Sequence, residues 1–418
     1  MAANPVIALY LALGVIILAA RVGGGLARRF GQPRVLGELV VGVLLGPTLI
    51  DLLHASAFGL RAAHLEETVA ELAELGVLLL MFKVGLDVHL RELLQVGRAA
   101  IVAGVTGALL PVALTLPLLL AFDYGWQPAL FAGVALAATS VSISAQVLLE
   151  LGVLKTRVGN ALLATALIDD VVAILLVSLT IAVTGPAQAV DPAHLALIVL
   201  RMTVYIGAAA AVAWWGLPRL LERLQNYPNL VQSYGIPAIG LVIALLFGWS
   251  AEYLGGVAAI TGAFIAGVGI SRGREAIKRQ VDGAVNSIAY AFLVPIFFVN
   301  IGLEIDLSIF PLSALPLAAA VLGVAVASKV VGCGLGARLA GFNNRESLQL
   351  GVCMISRGEV GLIIASLGLS ARVFRADEPL FAALFLVILL STVLTPPLVR
   401  RVFLVSPVPV PQETAPYG

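Results

Sequence analysis

Apolar residues fill most of the chain in long stretches that short polar connections separate. A helix that crosses the hydrocarbon core of a membrane needs about 20 mostly apolar residues. The pattern therefore predicts an all-α integral membrane protein with thirteen spans, or with twelve if the ninth stretch is re-entrant or interfacial. The stretches are 5–21, 35–51, 67–87, 99–121, 128–150, 158–184, 194–217, 232–251, 256–270, 284–303, 311–339, 346–370 and 379–399.

The composition agrees with this prediction and excludes other classes of protein. Of the 418 residues, 60% are hydrophobic and only 12% are charged, whereas soluble domains carry about 25% charged residues. A net charge of +1 gives no indication of a nucleic-acid partner. Cys333 and Cys353 lie in apolar surroundings and predict neither a disulfide framework nor a metal cluster. The connections are too short for a soluble regulatory or ATP-hydrolysing domain, so we expect no cofactor and no enzyme.

The basic residues predict the orientation, because Lys and Arg are enriched in cytoplasmic loops. With thirteen spans and the N-terminus outside, 18 of the 25 Lys and Arg residues fall on the cytoplasmic side and three outside. We therefore expect a multi-pass protein of the cell (inner) membrane with a cytoplasmic C-terminus. Four basic residues remain inside the spans: Lys83, Arg201, Lys329 and Arg357.

Two adjacent carboxylates, Asp169 and Asp170, lie near the middle of the sixth span in the segment ALIDDVVAILL. An ionisable group at this depth costs about 2.5–3.5 kcal/mol, so a functional role is favoured. Two carboxylates this close cannot both ionise unaided. Lys329, in the eleventh span, can pair with one of them, which leaves the other to exchange a proton for a cation such as sodium. The alternative is that Lys329 is a purely structural tether.

Two further spans contain polar clusters that predict broken helices. The fifth span carries hydroxyls at Thr139, Ser140, Ser142 and Ser144, and the twelfth carries Ser356, Arg357, Gly358 and Glu359. Unwound backbone at membrane depth is tolerated where it lines a cavity, and a pair of interrupted spans in corresponding halves points to a transporter site built from inverted repeats. We expect the repeats to be spans 2–6 and 9–13, and these four residues of the twelfth span to support the breaks. Arg357 and Glu359 would neutralise each other or the ends of the half-helices. The alternative is that the hydroxyls bond back within intact helices.

Several segments resemble, in their order, those of a known family. They are QPRVLGELVVGVLLGP (32–47), LLLMFKVGLDVHL, ATSVSISAQVLLELGVL, ALIDDVVAILL, AEYLGGVAAITGAFIAGV, PIFFVNIGLEIDL and MISRGEVGLIIASLG. Together they are similar to the monovalent cation:proton antiporters, specifically the antiporter-2 branch with the paired-aspartate motif of electrogenic sodium/proton exchangers. The resemblance covers about residues 1–402.

This resemblance implies roles for individual residues. It implies that Asp170 is the main carboxylate for the cation and the proton, and that Asp169 pairs with Lys329 and releases it when sodium binds. Thr139 would lie at the unwound point beside the site, and we expect Thr139 and its neighbour Ser140 to bind the ion together with the two aspartates. A paired-aspartate site with a lysine implies that more protons than cations move in each cycle.

The resemblance also implies two bundles, with a core that moves like an elevator against a dimer interface in the lipid. The implied divisions are a dimerisation domain at 1–98 and 231–306, a core at 99–184 and 307–402, a linker span at 185–230 and a disordered cytoplasmic tail at 403–418.

We therefore expect a homodimeric secondary antiporter that exchanges sodium or lithium for protons. The alternatives are a potassium/proton antiporter of the same fold and a sodium-coupled organic anion symporter. The related potassium-efflux branch carries glutamine at the first aspartate and a nucleotide-binding domain, and neither feature is found here. Lys83 stands where the family usually has an apolar residue, and the sequence offers no physical reason for it.

Overall fold

The described part of the protein is helical, with connecting turns and no β-strand, as predicted. The computed structural model describes residues 5–54, 64–88, 90–184, 192–224, 234–305, 312–370, 373–374 and 379–404. The first nine helices are α1 (Pro5–Arg29), α2 (Arg34–Leu45), α3 (Leu65–Asp87), α4 (Leu90–Gln95), α5 (Gly97–Ala121), α6 (Trp126–Ala137), α7 (Val141–Glu150), α8 (Arg157–Thr184) and α9 (Pro192–Ala211). The remaining helices are α10 (Leu217–Leu224), α11 (Gly235–Ser250), α12 (Ala259–Ile270), α13 (Glu275–Ile288), α14 (Val294–Leu303), α15 (Leu315–Leu339), α16 (Asn344–Cys353), α17 (Glu359–Ser370) and α18 (Pro379–Leu404).

Short π-helical segments continue three of these helices. Val212–Gly216 joins α9 to α10, Ala251–Gly255 follows α11, and Ala289–Leu293 joins α13 to α14. Such segments interrupt the regular hydrogen-bond ladder and often occur near functional sites. The segment after α11 leads into a sharp turn at Gly256, and α12 starts three residues later.

Nine segments among the described residues are long and apolar enough to cross a membrane. They are Val6–Arg29, Gly97–Ala121, Trp126–Glu150, Arg157–Ile181, Ala196–Leu224, Gly235–Gly255, Glu275–Leu303, Leu315–Leu339 and Pro379–Leu404. The four other predicted spans coincide with α2, α3, α12 and the pair α16–α17. Compared with the nine segments, α2 and α12 are shorter, α3 carries more charge, and α16–α17 is interrupted. A multi-pass helical membrane protein is therefore confirmed, while the number thirteen stays a prediction.

Several predicted boundaries differ from the structure. The first span was expected to end at residue 21, but α1 continues to Arg29, and the tenth was expected to begin at 284, but α13 begins at Glu275. The second span was expected to continue to residue 51, but α2 ends at Leu45. Gly46 is extended and precedes Pro47, and the residue before a proline is disfavoured in helical conformation. α18 includes residues 403 and 404, which were expected to belong to the tail, and the rest of the predicted tail lies outside the described residues.

The helices pack in two groups. In the first, α5 packs along α15, α8 packs on α5 and α6, and α18 packs on α15. In the second, α3 packs along α12, α14 packs on α2 and α3, and α1 packs on α2; α11 packs on α12 and α13. We call the first the core group and the second the scaffold group; the predicted domain boundaries themselves stay predictions.

Glycine permits the close approach of α3 and α12 within the scaffold group. A Cβ atom on Gly85 would lie 2.3 Å from the backbone oxygen of Phe264, and one on Gly267 would lie 2.2 Å from that of Phe82. Small residues let helix backbones approach closely, which is the usual basis of packing between membrane helices.

The core group contains the same order of helices twice. A long helix, an interrupted helix and a second long helix follow one another as α5, α6–α7, α8 and again as α15, α16–α17, α18. This order agrees with the repeats expected from the sequence, and it places the two interruptions in matching positions.

Candidate functional site

Two helix interruptions, at the predicted positions, form the centre of the core group. α6 ends at Ala137 and α7 begins at Val141, while α16 ends at Cys353 and α17 begins at Glu359. The residues between the paired helices are not helical. The prediction of broken rather than intact helices is therefore confirmed.

The two interruptions cross and hydrogen-bond to each other. The backbone N–H of Ser140 donates to the carbonyl of Ser356 over 2.9 Å, and the Ser356 hydroxyl donates to the carbonyl of Ser140 over 2.6 Å. The Ser144 hydroxyl donates to the carbonyl of Cys353 over 2.5 Å. Backbone groups that no longer bond within a helix thus find partners in the opposite break, as membrane depth requires.

Gly358 allows this crossing to be close. A Cβ atom at Gly358 would lie only 2.8 Å from Cβ of Ser140 and 2.9 Å from its Oγ. Real Cβ atoms do not approach so closely, so any larger residue at Gly358 would push the two breaks apart.

Arg357 is fully buried and binds backbone carbonyls around the crossing. Its Nε donates to Leu136 over 2.9 Å, Nη1 to Ile355 over 2.9 Å, and Nη2 to Ala325 over 2.8 Å. Leu136 lies in the last turn of α6, where carbonyls lack helical partners and carry partial negative charge. The sequence suggested that Arg357 neutralises helix ends or Glu359; the carbonyl contacts match the first role, and the Glu359 side chain lies outside the described residues.

Asp169 and Lys329 form a buried ion pair. The Lys329 Nζ lies 3.0 Å from Oδ1 and 3.4 Å from Oδ2 of Asp169. The two side chains are 0% and 1% exposed. The pair joins α8 to α15, so it links the two halves of the core group.

Asp170 faces a different neighbour, because adjacent helix positions point about 100° apart. It is partly exposed, and its Oδ2 accepts a hydrogen bond of 3.3 Å from the hydroxyl of Thr261 on α12. Thr139 lies in the first break, and its buried hydroxyl has no hydrogen-bond partner among the described residues. Of the predicted ion-binding residues, Asp170 thus contacts the scaffold group, and Thr139 keeps a buried hydroxyl with no hydrogen-bond partner among the described residues.

A cavity of about 800 Å³ lies between the two groups on one side of the crossing. Four glutamates of the scaffold group line it: Glu71, Glu74, Glu252 and Glu304. On the core side it reaches Gly358 at the second break and Ile174, one turn beyond Asp170. This wall of carboxylates raises the local concentration of cations next to the crossing.

The opposite side of the crossing is bridged by polar contacts between the groups. Tyr290 donates to Gln146 over 2.9 Å, and Glu150 accepts the backbone N–H of Arg34, at the start of α2, over 2.8 Å. Both Gln146 and Glu150 lie on α7. Lys155, in the connection after α7, lies 3.3 Å from Asp87 of α3.

Lys83 belongs to this bridged side, which gives the physical reason that the sequence lacks. Its Nζ lies 2.7 Å from Oδ2 of Asp87 and 2.7 Å from Oδ1 of Asp282, and the residue is only 9% exposed. Lys83 thus holds together two carboxylates from α3 and α13, and Lys155 then contacts the same Asp87.

Comparison with known proteins identifies the family. A family model described as "Sodium/hydrogen exchanger, transmembrane" matches residues 14–404. The chain belongs to the sodium/hydrogen exchanger family. This confirms the resemblance found in the sequence at the level of the family, while its electrogenic character stays a prediction.

Curated members of this family align along nearly their whole lengths. The chain is 35% identical to the Na(+)/H(+)-K(+) antiporter GerN of Bacillus cereus, over 94% of this chain and 95% of that protein. It is 34% identical to the Na(+)/H(+) antiporter of Enterococcus hirae, over 92% and 95%. It is 31% identical to the high-affinity Na(+)/H(+) antiporter NhaS3 of Synechocystis, over 94% and 89%.

A solved exchanger structure shares the fold. The sodium proton antiporter MjNhaP1 of Methanocaldococcus jannaschii superposes with a TM-score of 0.65 at 15% identity, covering 94% of this chain and 96% of that one. The overall fold is therefore shared although few residues are identical.

Proposed function

We propose that this exchanger transports sodium or lithium against protons, with Asp170 binding the cation and the proton in turn. The observation that carries the proposal is the difference between the two adjacent aspartates. Asp169 is buried and paired with Lys329, whereas Asp170 is partly exposed and faces the scaffold group. A carboxylate with this access can bind a proton and a monovalent cation in turn.

Oxygen atoms near the breaks supply further ligands for a small hard cation. The hydroxyl of Thr139 is buried without a hydrogen-bond partner among the described residues, and Ser140 adjoins it. We assign both residues to the ion site together with Asp169 and Asp170. Arg357 and Gly358 keep the breaks in place and contribute no ligand.

We further propose alternating access by movement of the core group against the scaffold group. The acidic cavity of about 800 Å³ on one side, and the polar contacts around a smaller cavity of about 500 Å³ on the other, support one arrangement of such a cycle. The positive-inside pattern supports placing the acidic side outside the cell. If Lys329 also gives up its proton when Asp169 releases it on cation binding, two protons move for each cation and the exchange is electrogenic. We expect a homodimer in the lipid of the cell membrane.

Potassium is the second candidate for the transported cation. The Enterococcus and Synechocystis relatives are named as antiporters of sodium and protons only, whereas the name of GerN also includes potassium. The carboxylate and hydroxyl oxygens described above suit any monovalent metal cation, so selectivity needs a direct measurement.

The test uses the full-length protein in proteoliposomes that contain a pH-sensitive dye. Sodium, lithium and potassium are titrated in turn, with and without an imposed voltage. Asp170→Asn should abolish cation-dependent proton flux, because a neutral amide neither takes up and releases a proton nor offers a negative charge to the cation. Asp123→Asn makes the same chemical change in an exposed left-handed turn and should leave the flux unchanged.

Several outcomes would contradict the proposal. Normal exchange by Asp170→Asn would remove this residue from the site. Exchange that responds only to potassium would favour the second candidate. Cation-driven uptake of an organic anion without any proton flux would instead indicate a symporter.

A further inference from the structure

The contact between Thr261 and Asp170 joins the two helix groups at the ion site. Thr261 is the third residue of α12, is 5% exposed, and donates its hydroxyl to Oδ2 of Asp170 over 3.3 Å. α12 packs along α3 and α11 in the scaffold group, whereas α8, which carries Asp170, packs on α5 and α6 in the core group. A scaffold side chain therefore contacts the carboxylate that we assign to exchange.

The direction of this hydroxyl is unusual for a threonine in an apolar helix. Such a hydroxyl usually donates to a carbonyl one turn earlier in its own helix. The hydroxyl of Thr261 instead crosses to α8, and α12 starts only two residues before it, after the turn at Gly256. The start of a helix carries partial positive charge, which also favours a nearby carboxylate.

We propose that Thr261 is a positioning residue that compensates Asp170 when the carboxylate holds neither cation nor proton. A hydroxyl that donates to an ionised carboxylate stabilises the ionised form. The hydroxyl of Thr261 therefore competes with sodium for the Asp170 carboxylate and eases the release of sodium. This inference rests on the proposed function, because it assigns the exchanging role to Asp170.

The effect belongs to one side of the membrane. Ala258, Ala259 and Ile260, which precede Thr261, line the acidic cavity, and so does Ile174 on α8. Because donor and acceptor belong to different groups, the hydrogen bond exists only while the groups keep this relative position. Thr261 should thus change the sodium affinity of the site on the cavity side and leave the opposite side unchanged.

The experiment compares Thr261→Val, Thr261→Ser and the wild type in proteoliposomes, with sodium titrated separately on each side. The pH is alkaline enough that protons compete weakly for the carboxylate. Thr261→Val should lower the apparent KM for sodium on the cavity side about three- to tenfold, the range expected for one lost hydrogen bond, and should lower kcat because release slows. Thr261→Ser restores the hydroxyl and should match the wild type.

Thr115→Val is the matched control. Thr115 is fully buried, and its hydroxyl has no hydrogen-bond partner among the described residues, so the same substitution removes no hydrogen bond there. If Thr261→Val does not fold, Thr261→Ala replaces it, and size-exclusion chromatography of each variant verifies folding before reconstitution.

The outcomes separate this inference from the proposed function. No sodium-dependent flux in the wild type would overturn the proposed function. With active wild type, an unchanged KM in Thr261→Val, an equal change on both sides, or a Thr261→Ser variant that behaves like Thr261→Val would overturn the role of the hydroxyl alone. A one-sided fall in KM that serine reverses supports it.

Discussion

Replacement of Lys329 by methionine is the sharpest test of the buried ion pair. Methionine has nearly the same volume, so the change removes the charge with little loss of packing. At an effective dielectric constant of about 20, unit charges 3.0 Å apart attract by about 5.5 kcal/mol. Burial of both ions already costs several kcal/mol, so the pair adds far less net stability than this attraction.

The single variant Lys329→Met nevertheless loses much more stability than the ion pair contributes as a net amount. Asp169 is 1% exposed, so without Lys329 it must either keep an uncompensated charge or hold a proton. We expect Lys329→Met to lower the free energy of unfolding by about 3–5 kcal/mol. The double variant Asp169→Asn/Lys329→Met, which leaves no charge behind, should recover a large part of that loss.

The assay is thermal or denaturant unfolding of the detergent-solubilised protein, for the wild type, both single variants and the double variant. The coupling free energy from this cycle measures the interaction of the two side chains. The same variants are reconstituted, and their voltage response is recorded. Stability losses that simply add would refute the energetic reasoning, and an unchanged voltage response in Lys329→Met would exclude this lysine from charge movement.

Three further changes test other contacts. Arg357→Lys keeps the charge, but its ammonium group cannot reach three carbonyls at once. The free energy of unfolding should fall by about 2–4 kcal/mol and the melting temperature with it; an unchanged melting temperature would contradict this. Gly358→Ala forces a methyl group to 2.8 Å from Cβ of Ser140 and should slow exchange, whereas Gly283→Ala, where a Cβ has no neighbour within 4 Å, should not; equal flux from both would argue against the close crossing. Lys83→Met leaves two carboxylates without their shared cation, and denaturant unfolding should show a loss of about 1–3 kcal/mol.

The helix breaks were predictable because their residues are costly in an intact apolar helix. Hydroxyls and glycines clustered around Ser140 and Gly358 interrupt otherwise continuous apolar runs, and few structures other than an unwound backbone use such a cluster. The depth of Lys329 likewise suggested a partner of opposite charge, since an unpaired charge at that depth is expensive.

The remaining contacts depend on packing that leaves no pattern in the sequence. The partners of Arg357 are backbone carbonyls, which every residue carries. Lys83 meets Asp282 only because α3 and α13 pack together. Thr261 was missed because one threonine in an apolar run normally indicates a bond within its own helix; its place two residues after the start of α12 is the only signal in the segment.

Arg357 also bears on how tightly exchange is coupled. Its guanidinium is a permanent positive charge at the point where the two breaks meet, and it already occupies the carbonyls of Leu136, Ile355 and Ala325. A bare cation at the crossing would meet repulsion where a channel offers vacant ligands. The positive charge at the crossing therefore opposes an uncoupled leak, in keeping with the proposed transport of the cation on Asp170.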